Sequence, residues 1–584
     1  MNSWIFYKKT FLFLFAAAAI NFCFPANAEI FCDNGSFQLA RAVKLGRGNA
    51  YSLSGQAELA GKTELTKEKP CDKNCVSCDK TTGTCSKCAS GYYLYENACH
   101  TCPQYATCDG SDDFSCPAPQ YFKMDSTCYK CSDTIEHCTA CSDATKCTEC
   151  ESPYVVSDTG DSCIEPPTCA TAAMQNNANV AAATDASSFY AAMDSGKSVI
   201  LIDGDISGLA TTALGSKKLV GPKYFSDIEI CKTQTTPTVT FASSSNMTIS
   251  GGEINQLNLK FPTEDTSFTA LSGSGTVKNS SVTAGKAKSV VEATGKITFS
   301  GTNKITSSSE SSAILRVSTS AGSFEIIDGT TTVDGNASYI AYINEGTLTI
   351  ASSGILTSNA TAYFGVELYG GKLVANGPVK IYGTAAYALQ QWGVHSSNKP
   401  SMTLNASGNI LTSYYSGLYA TDGSISINGS TTINLIANPN SSDGSSKTAF
   451  NMHEVYSNSV ISLTITAPVT VKGLTKGVDS QYPSSTGDQL FYMVGGTHKI
   501  NSTVESTSNI GKVLINGDSM SMSSSGAILG ASYLYGYGSK FSVSAGAKLK
   551  LGGTCKKAAS SGTLSSVTYD KAVTSPVSPF TGGC

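Results

Sequence analysis

Cysteine is the residue type whose spacing in this sequence carries the most chemistry. Six Cys-x-x-Cys pairs lie between Cys75 and Cys150. Two such pairs can form a four-thiolate zinc site, and one pair that opens a helix can be redox-active. However, six residues separate Cys78 from Cys85, whereas zinc sites of this kind leave roughly 15 to 20. The pairs also lie in polar, turn-rich segments, so we predict disulfides, with zinc and redox catalysis as the alternatives, and expect no metal and no cofactor.

Most of the 22 cysteines crowd into one stretch of about 100 residues, Cys71 to Cys169, which has few apolar side chains. Such a composition needs cross-links to offset its conformational entropy. The disulfide candidates are Cys71, Cys75, Cys78, Cys85, Cys88, Cys99, Cys102, Cys108, Cys116, Cys128, Cys131, Cys138, Cys141, Cys147, Cys150, Cys163, Cys169, Cys231, Cys555 and Cys584.

The order of residues inside this stretch resembles a known module. Cys85-Ser-Lys-Cys88-Ala-Ser-Gly-Tyr-Tyr-Leu, followed by Cys99-His-Thr-Cys102-Pro, looks like the furin-like and growth-factor-receptor cysteine-rich repeats. The resemblance covers about residues 71–169 and implies an extracellular spacer or protein-binding module.

Residues suited to acid–base catalysis are scarce. Beyond the cysteine-rich stretch Arg316 is the sole arginine, and we interpret Glu325 and Glu367 as solvated carboxylates on different strands. Asp203-Gly-Asp205 offers carboxylates for calcium, but a tight turn explains it equally well. We therefore expect no catalytic residue and no metal. With 40 Lys and Arg against 44 Asp and Glu, no basic stripe favours nucleic acid.

Aromatic side chains give the better functional clue, because sugars and extended polymers stack on flat rings. A group of tyrosines and a tryptophan falls in consecutive repeats of the chain. Filling of the core is the alternative role for these rings. The ligand-binding candidates are Tyr363, Tyr369, Trp392, Tyr414, Tyr415 and Tyr419.

A recurring strand pattern must position these rings. Units that start at Gly295, Gly322, Gly346, Gly371 and Gly423 carry apolar residues at alternating positions, which is typical of strands. Twelve such starts lie about 27 residues apart on average, and a period in that range indicates stacked repeats. The predicted fold is therefore all-β, a right-handed parallel β-helix (solenoid) preceded by a small disulfide-rich module. An array of two-sheet β-sandwiches is the rival.

The segment before the repeats also resembles a known family. Ala186-Ser-Ser-Phe189-Tyr-Ala-Ala-Met193 predicts a capping helix that Thr184 or Asp185 begins and Gly196 ends, before a strand at 198–202. This passage looks like the entry of the right-handed β-helices of autotransporter passengers and pectin-lyase-like proteins. With the repeats, the resemblance covers about 370 residues. It implies the same fold and, as a runner-up function, carbohydrate chemistry.

Apolar residues 11–24, followed by Pro25-Ala-Asn-Ala28, predict a signal peptide. We assign residues 1–28 to this signal, 29–70 to an N-terminal segment, 71–169 to the cysteine-rich module, 170–197 to a linker with the capping helix, 198–555 to the β-helix and 556–584 to a Ser/Thr/Pro-rich tail. Cleavage would leave an odd number of cysteines. We expect a secreted or cell-surface protein, or a periplasmic one, without a transmembrane span.

The favoured function is an adhesin-like protein that binds a polysaccharide or an extracellular or envelope protein, without catalysis. A carbohydrate-active enzyme on the same fold is the first alternative. An acidic cluster that meets Arg316 in one groove would favour it. The second alternative is a structural envelope spacer, which internal aromatic clusters would favour.

Overall fold

The computed structural model describes residues 68–393, 398–438, 446–455, 458–477, 487–517, 519–538, 540–565, 568–570 and 578–584. The expected signal peptide, residues 1–28, and most of the expected N-terminal segment, residues 29–70, lie outside the described residues. The chain is all-β, with a disulfide-rich N-terminal module and a long sheet, and it divides into two compact units, residues 1–166 and 167–584. None of the helices in the described part is long and apolar enough to cross a bilayer.

The described residues of the first unit, 68–166, form five two-stranded antiparallel sheets, β1–β2, β3–β4, β5–β6, β7–β8 and β9–β10, and one short helix, α1 (Cys131–Thr134). In chain order β1 to β10 are Cys75–Asp79, Thr84–Cys88, Tyr92–Tyr95, Ala98–Thr101, Tyr121–Met124, Thr127–Lys130, Cys138–Asp143, Lys146–Cys150, Val155–Val156 and Cys163–Ile164.

Disulfides connect these hairpins in a repeated pattern. The bonds in this unit are Cys71–Cys78, Cys75–Cys85, Cys88–Cys99, Cys102–Cys108, Cys116–Cys128, Cys131–Cys141, Cys138–Cys147 and Cys150–Cys163. The first three bonds and the last three have the same connectivity. In each set of six cysteines, the first bonds the third, the second bonds the fourth and the fifth bonds the sixth. The expectation of disulfide bonds is therefore confirmed.

The second unit holds thirty-seven of the described strands in one sheet. Its helices are α2 (Cys169–Asn176), α3 (Ala186–Asp194) and α4 (Glu229–Lys232), with a 3-10 turn at Pro222–Tyr224. In chain order β11 to β47 are Val180–Ala183, Val199–Ile202, Ile206–Leu209, Thr212–Gly215, Lys218–Val220, Thr238–Phe241, Met247–Asn255, Asn258–Lys278, Ser281–Ser300, Thr302–Val317, Ser323–Asn344, Thr347–Ser358, Thr361–Tyr369, Lys372–Ala375, Val379–Ile381, Ala385–Gln391, Ser401–Leu404, Asn409–Ser413, Ser416–Ala420, Gly423–Ile427, Thr431–Leu435, Thr448–His453, Ile461–Ile465, Val469–Lys472, Gln489–Val494, Thr497–Ile500, Thr503–Ser506, Lys512–Asn516, Ser519–Met522, Ala527–Ala531, Tyr533–Tyr537, Lys540–Val543, Lys548–Leu551, Thr554–Lys557, Gly562–Ser565, Thr568–Asp570 and Gly582–Gly583.

In most of this sheet, a strand pairs in parallel with the corresponding strand of the next repeat. From β24 to β40 each strand pairs with the third strand after it, as β24 with β27, β25 with β28 and β26 with β29. The repeat seen in the sequence is one such register: Ile297, Phe324, Leu348 and Leu373 are successive Cα partners. The β-sandwich rival is wrong for the described residues, because it requires antiparallel sheets and these pairs are parallel as far as β43.

The inward-facing side chains of all repeats form one continuous apolar core. Large rings stack between successive repeats inside it, with 4.8 Å between the ring centroids of Phe450 and Phe491 and 5.7 Å between those of Phe299 and Phe324. At one turn outside the core, Asn405 donates from Nδ2 to Asn376, and Asn428 donates to Asn405. Each repeat thus gains its stability by stacking on its neighbours.

Both ends of the sheet are covered. The Asp185 carboxylate caps α3 by accepting from the Ser188 amide, and Phe189 of that helix is fully buried. At the other end β44, β45 and β46 fold back antiparallel on β43, β42 and β41. The segment expected to be a tail therefore closes the last open strand edges, a known site of unwanted pairing.

One disulfide lies near each end. Cys169, which we grouped with the cysteine-rich module, belongs to the second unit and bonds Cys231. Cys169 is the first residue of α2. Cys555 bonds Cys584 within the folded-back segment. All twenty candidate cysteines are therefore paired.

Candidate functional site

Two columns of outward-facing side chains run across successive repeats of the second unit. Column A is Ser289, Ala313, Tyr339, Phe364, Tyr387 and Ser416. Column B is Glu292, Arg316, Tyr342, Glu367, Gln390 and Tyr419. In both columns each residue is the Cα partner of the next.

A bend in each strand brings the two columns together. Between Phe364 of column A and Glu367 of column B lie Gly365 and Val366, which are both buried. A side chain on Gly365 would meet the Ala388 carbonyl oxygen at 2.0 Å, so the close approach of neighbouring backbones requires glycine here. Because two consecutive residues face inward, the outward side chains on either side of them converge.

Ring contacts demonstrate this convergence. The ring centroids of Tyr339 in column A and Tyr342 in column B lie 5.1 Å apart. Those of Tyr387 and Tyr419 are also 5.1 Å apart. Along column A, the Phe364 ring stacks between Tyr339 at 5.0 Å and Tyr387 at 5.6 Å. The columns form one aromatic surface rather than separate stripes.

The six ligand-binding candidates from the sequence all lie at this surface. The rings of Tyr363 and Tyr415 contact the Tyr387 ring at 6.0 and 5.3 Å, and both side chains are exposed. The remaining candidates are partly buried: Trp392 stacks on Tyr419, Tyr369 stacks on Tyr342, and burial raises the pKa of Tyr414. None of the six fills the apolar core.

At one end of column B, Glu292 pairs with two cations, Arg316 and Lys288. The Arg316 Nε lies 3.8 Å from Glu292 Oε1, and its guanidinium lies 5.0 Å from the Tyr342 ring centroid. Burial alone would raise the pKa of Glu292. Hydrogen bonds from Ser318 and Thr269, with the charges of Lys288 and Arg316, outweigh it and hold that pKa below its usual range.

Glu367, in the middle of column B, has a different environment. We interpreted it as solvated, and that was wrong: the side chain is 6% exposed, and burial raises its pKa to about 7. Within the described residues no side chain donates a hydrogen bond to its carboxylate or pairs with it. Next to it in the column, Gln390 is 3% exposed, and its Oε1 has no hydrogen-bond partner in that same part of the chain.

The other chemical candidates are structural. Glu325 lies on a different strand segment from Glu367 and pairs with Lys296. Asp203 and Asp205 accept backbone amides, at 3.0 Å from Ala170 and 2.7 Å from Thr238, as expected of turn residues. The triplets of neighbouring cysteine sulfurs near Cys85 and Cys147 belong to disulfides, so they offer no thiolate to a metal.

Sequence reasoning missed several members of the surface, among them Glu292, Tyr339, Tyr342, Phe364 and Gln390. A signal was present, since Tyr339, Phe364 and Tyr387 follow one another at intervals of 25 and 23 residues, as do Tyr342, Glu367 and Gln390. We extended the repeat only along its inward-facing positions. Extending it along the outward positions finds both columns.

Comparison with known proteins concerns the first unit. A stretch of 77 residues, 12% of this chain, is 39% identical to cysteine repeat modular protein 2 of Tetrahymena thermophila, and it spans 4% of that protein's length. No family model and no solved structure matches the chain. The ten disulfides and this similarity indicate an extracellular or secreted protein.

Proposed function

We propose that the second unit is a right-handed parallel β-helix whose columns A and B bind a polysaccharide, in a protein that acts as an adhesin at a cell surface or in an envelope. Parallel pairing across three strands per repeat supports the fold. One observation carries the function: the rings of Tyr363, Tyr387, Tyr415 and Tyr419 form a contiguous, partly exposed surface over successive repeats.

The geometry of this surface suits an extended ligand. Neighbouring strands lie about 4.8 Å apart, so each repeat adds one row of side chains in the same direction. Flat rings stack on the apolar faces of sugars, and their few rotatable bonds limit the entropy lost on binding. Ring edges and hydroxyl groups beside them supply polar contacts.

A carbohydrate-active enzyme is the second candidate, and one observation favours it. Column B brings Glu292, Arg316 and Glu367 into one line, which is the arrangement that we said would support catalysis. Yet the two carboxylates stand three strand spacings apart, about 14 Å along the column, whereas paired glycosidase carboxylates are about 5 to 9.5 Å apart. Arg316 is also occupied by Glu292 and Tyr342. We therefore propose binding without cleavage.

The spacer alternative requires rings that are buried in the core. Tyr363 is 54% exposed and Tyr415 is 41% exposed, and rings of that exposure contribute little to stability. Their clustering is better explained by a ligand, because contiguous apolar patches on a protein surface commonly mark binding sites.

The experiment is a comparison of two equally exposed tyrosines. Tyr363→Ala removes a ring of the surface, whereas Tyr95→Ala removes a ring that is 55% exposed in the first unit. We expect affinity for a bound soluble glycan to fall about threefold to tenfold with Tyr363→Ala and to stay unchanged with Tyr95→Ala, as measured by calorimetry. Equal affinities of both variants and the parent would contradict the proposal.

A further inference from the structure

The middle of column B holds two buried acceptors that the described part of the protein leaves unused. Val366 and Leu368 face the apolar core. Successive side chains of a strand point to opposite faces, so Glu367 between them points outward. Its partners in the column are Tyr342 and Gln390. A buried polar group without a hydrogen bond costs folding free energy, so a ligand that supplies donors here recovers that loss.

The charges around this position decide which donors fit. Arg316, two places along the column, shares the Glu292 carboxylate with Lys288. Burial and the Glu367 charge raise the pKa of Tyr342 to about 12 and that of Tyr339 above its usual value, so both phenols are uncharged near neutral pH. Lys288, Arg316 and Glu292 together carry one positive charge, and ionised Glu367 carries one negative charge, so these four groups carry no net charge and do not favour a charged polymer. An acidic group placed beside Glu367 itself would be repelled.

We propose that Glu367 and Gln390 are the specificity-determining acceptors of this surface, and that its ligand is a neutral, hydroxyl-rich glycan whose hydroxyl groups donate to both. The inference rests on the proposed function and names its substrate class. Tyr387 and Tyr419 contact one another, and Gln390 is the Cα partner of Tyr419, so a sugar ring stacked on either tyrosine places its hydroxyl groups near Gln390. Uronate or sulfate groups in the same place would face the carboxylate.

The ionised carboxylate accepts hydrogen bonds more strongly than the acid does. Because the pKa of Glu367 is about 7 in the free protein, glycan binding strengthens as pH rises from about 6 to about 8. Of the groups that face it, Arg316 stays charged and Tyr339 and Tyr342 stay neutral over that range. The pH dependence of binding thus reports on Glu367.

The test uses the full chain with a soluble mannan, a soluble glucan, polygalacturonate and chitosan as probes. Glu367→Gln and Gln390→Leu keep the side-chain size, and Glu325→Gln is the matched control at an ion-paired glutamate outside the columns. We expect about tenfold weaker binding of the neutral glycan by Glu367→Gln, a flat pH profile for that variant, a smaller loss for Gln390→Leu, and no change for Glu325→Gln.

Three results would overturn the inference. Unchanged neutral-glycan affinity and pH profile in Glu367→Gln would do so and would leave the proposed function standing. Preference of the parent protein for polygalacturonate or chitosan over both neutral glycans would refute the ligand class. Retention of no glycan at all would refute the proposed function together with the inference. Unfolding midpoints of each variant establish that a loss of binding is not a loss of fold.

Discussion

The cysteine-rich unit and the strand-stacked unit differ in what holds their backbones in place. Among the described residues of the first unit, eight of the twelve buried apolar side chains are cysteines. The second unit holds two of the ten disulfides and one continuous core of Ile, Leu, Val, Phe and Ala. In a stacked repeat the inward positions form the core, so the outward positions are available for another role. In the cross-linked unit the recurring positions are occupied by cysteines that hold the backbone together.

Reduction of the disulfides should show the difference between the two units most clearly. Each disulfide contributes about 2 to 4 kcal/mol, and the first unit has eight disulfides and a small core. In dithiothreitol we expect residues 68–166 to lose hydrogen-exchange protection while the strands of 198–555 keep it, as measured by mass spectrometry. Retained protection in 68–166 would mean that packing, not cross-linking, holds that unit.

The stability lost on removal of one core ring can be compared with the stability lost on removal of one surface ring. Phe324 is fully buried and stacks on Phe299, so Phe324→Ala should cost about 3 to 5 kcal/mol of unfolding free energy. Tyr363→Ala should change it by no more than about 0.5 kcal/mol. Denaturant unfolding followed by fluorescence gives both values, and similar costs for the two rings would contradict the assignment of inner and outer faces.

The two buried glutamates of column B should affect stability with opposite signs. The folded state raises the pKa of Glu367 to about 7, so the folded protein binds more protons than the unfolded chain between about pH 4.5 and 7. Stability from this group is present below that window and is lost as pH rises through it, by about 3 kcal/mol at most. Relative to the parent, Glu367→Gln should therefore increase the free energy of unfolding more at pH 8 than at pH 5.

Glu292 serves as the comparison, because its pKa is lowered in the folded state. Its contribution is present above the unfolded pKa and is lost as pH falls, so Glu292→Gln should destabilise the protein at pH 8. Unfolding midpoints of the parent and both variants at pH 5 and pH 8 check both signs. The same sign for the two variants at pH 8 would show that the environments are not different.

A small effect is expected at the exposed asparagine turn. Asn428 donates to Asn405 and accepts from Thr466, at 2.8 and 2.7 Å. Asn428→Ala should cost about 1 kcal/mol or less, far below the cost of Phe324→Ala. A larger loss in thermal unfolding would assign the outer turns a greater share of the stability than the core-stacking account allows.

Much of this architecture was predictable from the sequence, because a stacked strand repeats its pattern of buried side chains. The units at Gly322, Gly346 and Gly371 were recognised from alternation alone, and they are register partners in the structure. Asp185 was expected to begin the capping helix and does so. The cysteine spacing predicted disulfides, but several pairings fit any one spacing, so the connectivity had to come from the structure.

The site was harder to predict for a physical reason. Outward positions are not constrained by a common core, so Arg316, Tyr342, Glu367 and Gln390 share no residue type that reveals the column. The burial of Glu367 arises from the bend that makes the columns converge. A pattern of strictly alternating residues does not predict that bend.

The most direct test of the central claim is to incubate the purified chain with a polysaccharide panel and to measure retention and new reducing ends in the same samples. We expect retention of a neutral glycan without new reducing ends. New reducing ends would contradict the account and direct attention to Glu292, Arg316 and Glu367 as catalytic groups.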